Sequence, residues 1–236
     1  MIKPSLDVML NAEPEPLKID LKKTALMVID VQNAFLSVSG YFTVRERDVS
    51  LAERIEDPAA KTKKVENMKR IIEDARAIGV RVIYTASINP TDNRVGGDSS
   101  YRSKSGTLKT LRTHPELRDK VPVRDAWGAE IIDELKPQEG EILIEKPRFS
   151  AFFQTGLDTM LRTHGLRHLI FIGVATNICV EATLRDAYYR EFFCILASDA
   201  TVNSGPALTQ EATIFNVKAC YGWVANTQNI LRALSN

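Results

Sequence analysis

The sequence predicts an α/β protein, a three-layer α/β/α sandwich around a six-stranded parallel sheet. Two observations predict it. Short apolar runs rich in β-branched residues recur without alternating with polar ones, as expected of strands covered on both faces. Helical patterns separate these runs one by one, and successive parallel strands need such crossovers.

In chain order, Ala25–Ile29 is the first strand, and Lys64–Ile78 is a helix closed by Gly79. Val80–Ala86 is the second strand. Ala129–Leu135 reads as a helix that stops before Pro137, and Ile142–Ile144 as the third strand. A helix at Thr155–Thr163, ending before Gly165, leads to the fourth strand, Leu169–Gly173, and Asn177–Tyr189 leads to the fifth, Phe193–Leu196. A helix at Pro206–Cys220, a sixth strand at Gly222–Ala225 and a last helix at Thr227–Leu234 complete the pattern.

With 236 residues, 44% of them hydrophobic, the chain can bury one substantial core. Residues 1–23 are expected to be an N-terminal extension and 24–236 a single domain. Lys and Arg total 31 against 30 Asp and Glu, and no long basic run interleaves with aromatics, so no nucleic-acid partner is expected. Met1–Lys23 mixes charges with prolines, and no run approaches a membrane span, which predicts a cytoplasmic protein without membrane contact. Cys179, Cys194 and Cys220 make an odd count without C-x-x-C spacing, against a disulfide framework or structural zinc. Two long stretches, Ser37–Pro58 and Asn89–Val123, read as a lid, a subunit contact or surface elaboration.

In an open parallel sheet, ligands bind beyond the carboxyl ends of the strands. Asp30, Gln32 and Asn33 follow the first strand; Lys146 and Arg148 follow the third; Ala175, Asn177 and Cys179 follow the fourth. A carboxylate, an amine and a thiol thus converge on one edge. Cys179 falls where a strand gives way to a helix, whose unpaired N–H groups favour thiolate and can hold an oxyanion. Lys146 supplies positive charge, and Asp30 can take the thiol proton and return it to a leaving amine. His168 and His164 lie at the opposite edge, roughly 20 Å away at about 3.3 Å per residue. No glycine-rich phosphate loop and no metal-ligand spacing occurs, so neither a cofactor nor a metal is expected.

Three segments, Val28–Phe35, Glu145–Phe153 and Gly173–Asp186, resemble the isochorismatase-like cysteine hydrolases, and among them the ureidoacrylate amidohydrolases. The resemblance implies a catalytic triad of Asp30, Lys146 and Cys179. It also implies a non-proline cis peptide between Val174 and Ala175, with the Ala175 and Cys179 amides forming an oxyanion hole. The cysteine sets the chain apart from members that cleave a vinyl ether. Ser87-Ile88-Asn89 lacks the metal-binding Asp-x-His of nicotinamidases and differs from the Asn- and Trp-bearing segment of ureidoacrylate hydrolases.

The expected activity is hydrolysis of a C–N bond in a small ureido, carbamoyl or amide compound through a thioester, with ammonia released. N-carbamoyl amino acids, biuret and maleamate-type amides are alternative substrates; a redox-sensor or binding module using Cys179 is the alternative without catalysis. Gln32, Asn33, Phe35, Tyr101, Phe149 and Asn177 are the expected substrate contacts. Homo-oligomerisation, as dimer or tetramer, follows from the resemblance.

Overall fold

The computed structural model describes residues 7–42, 58–89, 111 and 113–235. Strands β3 (Thr24–Ile29), β4 (Arg81–Ser87), β5 (Ile142–Lys146), β6 (His168–Val174), β7 (Phe193–Val202) and β8 (Trp223–Ala225) form a six-stranded sheet in the order β5-β4-β3-β6-β7-β8. Every pairing in it is parallel. β3 is buried throughout, which is why its sequence shows no alternation. Leu26 and Val28 enter one core, and Ala25, Met27 and Ile29 the other.

The short helix α1 (Asn33–Leu36) follows β3, and the first core is closed by α2 (Pro58–Ala77) and α6 (Thr227–Leu234). Met68, Ile71, Ile72 and Ala75 recur along α2 at the spacing that lines one helix face. Asn226 caps α6, its side chain accepting the Asn229 N–H at 2.9 Å. The opposite core is closed by α3 (Leu157–Thr163), α4 (Glu181–Tyr188) and the end of α5 (Ala207–Asn216), through Leu157, Leu161, Leu184 and Val217. No helix among the described residues is long and apolar enough to cross a membrane.

Residues 7–20 form an antiparallel hairpin, β1 (Asp7–Leu10) and β2 (Leu17–Asp20), that packs Leu10 and Ile19 into the first core. Glu13, in its turn, exchanges backbone hydrogen bonds with Val224 at 2.9 Å each way and so covers the outer edge of β8.

Three elements differ from expectation. Ala129–Leu135 is not a helix but two single 3-10 turns, Trp127–Ala129 and Asp133–Leu135. Its backbone is engaged elsewhere: Asn33 N–H donates to the Glu130 carbonyl at 2.8 Å, and Ile132 N–H to Val31 at 3.0 Å. So short a helix is marginal on its own, and these bonds decide against it. β7 runs on to Val202 because it advances from Leu196 to Thr201 while its partner β6 advances only from Phe171 to Gly173. The polar residues of this bulge have uses, since Asp199 Oδ1 accepts the Thr227 N–H and hydroxyl at 2.7 and 2.8 Å. The helix after β6 opens with a π turn, Thr176–Val180, ahead of α4.

Candidate active site

The strand order turns back between β3 and β6, which places the ligand crevice of such a sheet at their carboxyl ends. Gly173 lets the two strands close there. A Cβ on it would stand 2.1 Å from the Ile29 carbonyl oxygen, and its φ is +122°.

Asp30 follows β3 directly and adopts a left-handed backbone, φ +50°. Thr85 of β4 holds it there: the Asp30 N–H reaches the Thr85 carbonyl at 3.2 Å and Thr85 Oγ1 at 3.3 Å, and Oγ1 donates to Asp30 Oδ1 at 2.7 Å. Asp30 Oδ2 lies 2.6 Å from the Nζ of Lys146, the last residue of β5, and both side chains are 0% exposed. Nζ also donates to the Arg148 carbonyl at 3.0 Å.

Cys179 sits in the π turn beside Asp30 and Lys146, both of which act on the charge of its thiol. Cys179 keeps 8% of its surface against 1% for Lys146 and 0% for Asp30, and is the most accessible residue of the three. The thiol does not rest as thiolate. Burial pushes its pKa up to about 12, with Lys146 pulling down and Asp30 pushing up, so desolvation outweighs the charge of Lys146. The expectation that this position favours thiolate is corrected accordingly. For Lys146, burial acts to lower the pKa, but the charges of Asp30 and Cys179 prevail and raise it.

The Val174–Ala175 peptide is cis. In the turn that follows, the Ala175 carbonyl accepts the N–H groups of Ile178 at 3.0 Å and Val180 at 3.1 Å, skipping the Cys179 amide between them. Thr183, on α4, ties the turn to the segment after Lys146: its Oγ1 donates to the Cys179 carbonyl at 2.7 Å and accepts the Ala151 N–H at 3.1 Å. Ser150 adds a hydroxyl-to-carboxylate bond to Asp186 of the same helix.

The expected substrate contacts fare unequally. Gln32 is wholly buried and its amide is engaged at both ends, with Nε2 on the Ser87 and Ala129 carbonyls and Oε1 on the Ser87 N–H, so it braces the site instead of facing a ligand. Asn177 forms a two-way clamp with the backbone of Ser204, at 2.8 and 3.2 Å, and Asn33 Nδ2 bonds to the Trp127 carbonyl at 3.0 Å. Phe35 is half-buried against Phe42, ring centres 4.8 Å apart. Phe149, at 60% exposed, projects from the segment after Lys146 and does not belong to the core. Tyr101 lies outside the described residues, as do most of the two long stretches; their described ends meet where Tyr41, Val121, Val123 and Ala126 pack around Ala34. Reading the sequence for residues after strands missed Thr85 and Thr183. Thr85 could have been found as the aliphatic hydroxyl within the run Val82–Ala86.

Fold and site together define a parallel α/β sandwich whose switch point holds a buried carboxylate, amine and thiol. The chain belongs to the isochorismatase family: the isochorismatase domain model matches residues 24–229. It is 42% identical over 231 residues to the ureidoacrylate amidohydrolase RutB of Acinetobacter baylyi, covering 96% of this chain and 90% of that one. Among solved structures it is similar to a cysteine hydrolase from Pseudomonas syringae pv. phaseolicola, with TM-score 0.74, 25% identity and coverage of 100% of this chain and 99% of that one. It is also similar to N-carbamoylsarcosine amidase from Thermoplasma acidophilum, with TM-score 0.63, 25% identity and coverage of 87% and 96%.

Proposed function

We propose that the protein is a cysteine amidohydrolase that cleaves the C–N bond of a small ureido compound of the ureidoacrylate type. The observation that carries this reading is the buried ion pair of Asp30 with Lys146, set beside the thiol of Cys179 and acting on its charge. The names of the A. baylyi relative, a ureidoacrylate amidohydrolase, and of the T. acidophilum neighbour, an N-carbamoylsarcosine amidase, support the substrate class.

Asp30 Oδ2 takes the proton of Cys179, and the sulfur attacks the carbonyl carbon. Moving that proton shifts negative charge from one neighbour of Lys146 to the other and changes no net charge in the pocket. A thiol of such high pKa can therefore react without the penalty of charging a buried site. The Ala175 and Cys179 N–H groups receive the oxyanion; the Ala175 carbonyl takes the amides on either side of Cys179 and not that of Cys179. The C–N bond breaks, Asp30 protonates the departing ammonia or amine, and a thioester remains on Cys179. Water, deprotonated by the same carboxylate, releases it as acid or carbamate. A redox-sensor role fits less well, because sensor thiols are acidic and accessible.

The test is hydrolysis of ureidoacrylate, with N-carbamoyl amino acids, biuret and maleamate in parallel, by the protein and by Cys179→Ser. Turnover of one of these that drops at least about 1,000-fold in the variant supports the reading. Equal turnover by the variant removes the nucleophile.

A further inference from the structure

Thr85 directs both of its side-chain bonds at a single residue. Its Oγ1 faces the Asp30 N–H at 3.3 Å and Asp30 Oδ1 at 2.7 Å, and the side chain is wholly buried. A hydroxyl carries one proton. With the backbone N–H directed at an oxygen lone pair, that proton is the donor to Oδ1.

We propose that Thr85 is a positioning residue that reserves Asp30 Oδ2 for the proton of Cys179, by holding Oδ1 in a permanent hydrogen bond. The inference rests on the amidohydrolase reading above. A proton arriving at Oδ1 would face the Thr85 hydroxyl proton, and the hydroxyl would have to turn away with nothing to donate to in a buried site. A proton arriving at Oδ2 leaves the Thr85 bond intact and takes the lone pair that does not face Lys146 Nζ. In that step the S–H bond breaks, an O–H bond forms at Oδ2 and the electron pair stays on sulfur. The geometry matches this division of labour. Oδ2 is the oxygen 2.6 Å from Lys146 Nζ, and it has no bond from Thr85. The left-handed backbone of Asp30 makes the same point, because the Thr85 carbonyl and hydroxyl are what hold its N–H in that conformation.

The experiment compares ureidoacrylate hydrolysis by the full chain with that of Thr85→Val, Thr85→Ser, Asp30→Asn and Cys179→Ser. Valine keeps the shape of threonine and removes the donor. Loss of one hydrogen bond to a charged group lowers kcat roughly 10- to 100-fold in Thr85→Val, with KM within about twofold, and serine restores kcat to within about threefold. Parent-like kcat in Thr85→Val beside inactive Asp30→Asn and Cys179→Ser overturns the inference and spares the reading. Activity in Asp30→Asn or Cys179→Ser, or no ureidoacrylate turnover by the parent, overturns both. Equal losses in the valine and serine variants also overturn the inference, since shape and not the donor would then matter. Should Thr85→Val fail to fold, Thr85→Cys, a weak donor of similar size, takes its place, and kcat equal to that of Thr85→Ser overturns it.

Discussion

Lys146 Nζ and Asp30 Oδ2 lie 2.6 Å apart although β4 runs between the strands that carry them. Two strand spacings separate those backbones by about 10 Å, so the lysine stem crosses most of the gap beneath the chain of β4. Both charges are out of water, and each compensates the other.

Removing one partner should therefore cost more than removing both. Lys146→Met is expected to destabilise the fold by about 3–5 kcal/mol by leaving a buried carboxylate unpaired. Adding Asp30→Asn to it should recover part of that loss while restoring no activity. Urea denaturation of the three proteins decides the matter, and equal stability of single and double variants would contradict the compensation.

Gly173→Ala is expected to cost more than about 3 kcal/mol or to prevent folding, because the new methyl would collide with the Ile29 backbone at a φ that L-residues avoid. Chemical denaturation, or the yield of soluble protein, reads this directly.

Iodoacetamide should distinguish the cysteines at neutral pH. Cys220 is exposed and reacts first, whereas Cys179, with its pKa pushed up to about 12 and little surface, reacts slowly and speeds up as pH rises past 9. Peptide mass spectrometry over a pH series gives both rates, and equal labelling of the two at pH 7 would contradict the buried, protonated thiol.

Stability should fall in alkali. Burial raises the pKa of Cys179 and of Tyr84 to about 12 and that of Cys194 as well, while Asp30 and Cys179 raise that of Lys146. Above about pH 9 the unfolded chain loses protons that the folded chain keeps, so the unfolding free energy decreases as pH rises. Thermal unfolding between pH 8 and pH 11 should show Tm declining, with a shallower slope for Cys194→Val.

Much of this was legible in the sequence, for identifiable reasons. Strands β3 and β6 announce themselves because burial on both faces leaves unbroken apolar runs, and Asp30, Lys146 and Cys179 stand out because each comes soon after an apolar run, although that of β5 is covered on one face only. The segment Ala129–Leu135 misled because its periodicity suits a helix while its backbone is claimed by residues 31–33, a contact no local pattern encodes. Gln32 and Asn177 look like ligand contacts on the same ground as Asp30, their place beyond a strand; only the carbonyls around them show that their amides are occupied. The state of the Cys179 thiol escaped for a related reason, since a turn's positive end is local and the desolvation that opposes it belongs to the whole fold.

Thr183 joins the Cys179 carbonyl to the Ala151 amide, and Ser150 reaches Asp186 from the same segment. Compensating mutations around the nucleophile should consequently be sought across the chain and not beside it. A defect at Ser150 or Ala151 has its suppressors at Asp186 or Thr183, on a helix that begins only after the next strand, and substitutions in the two segments should covary when homologues diverge.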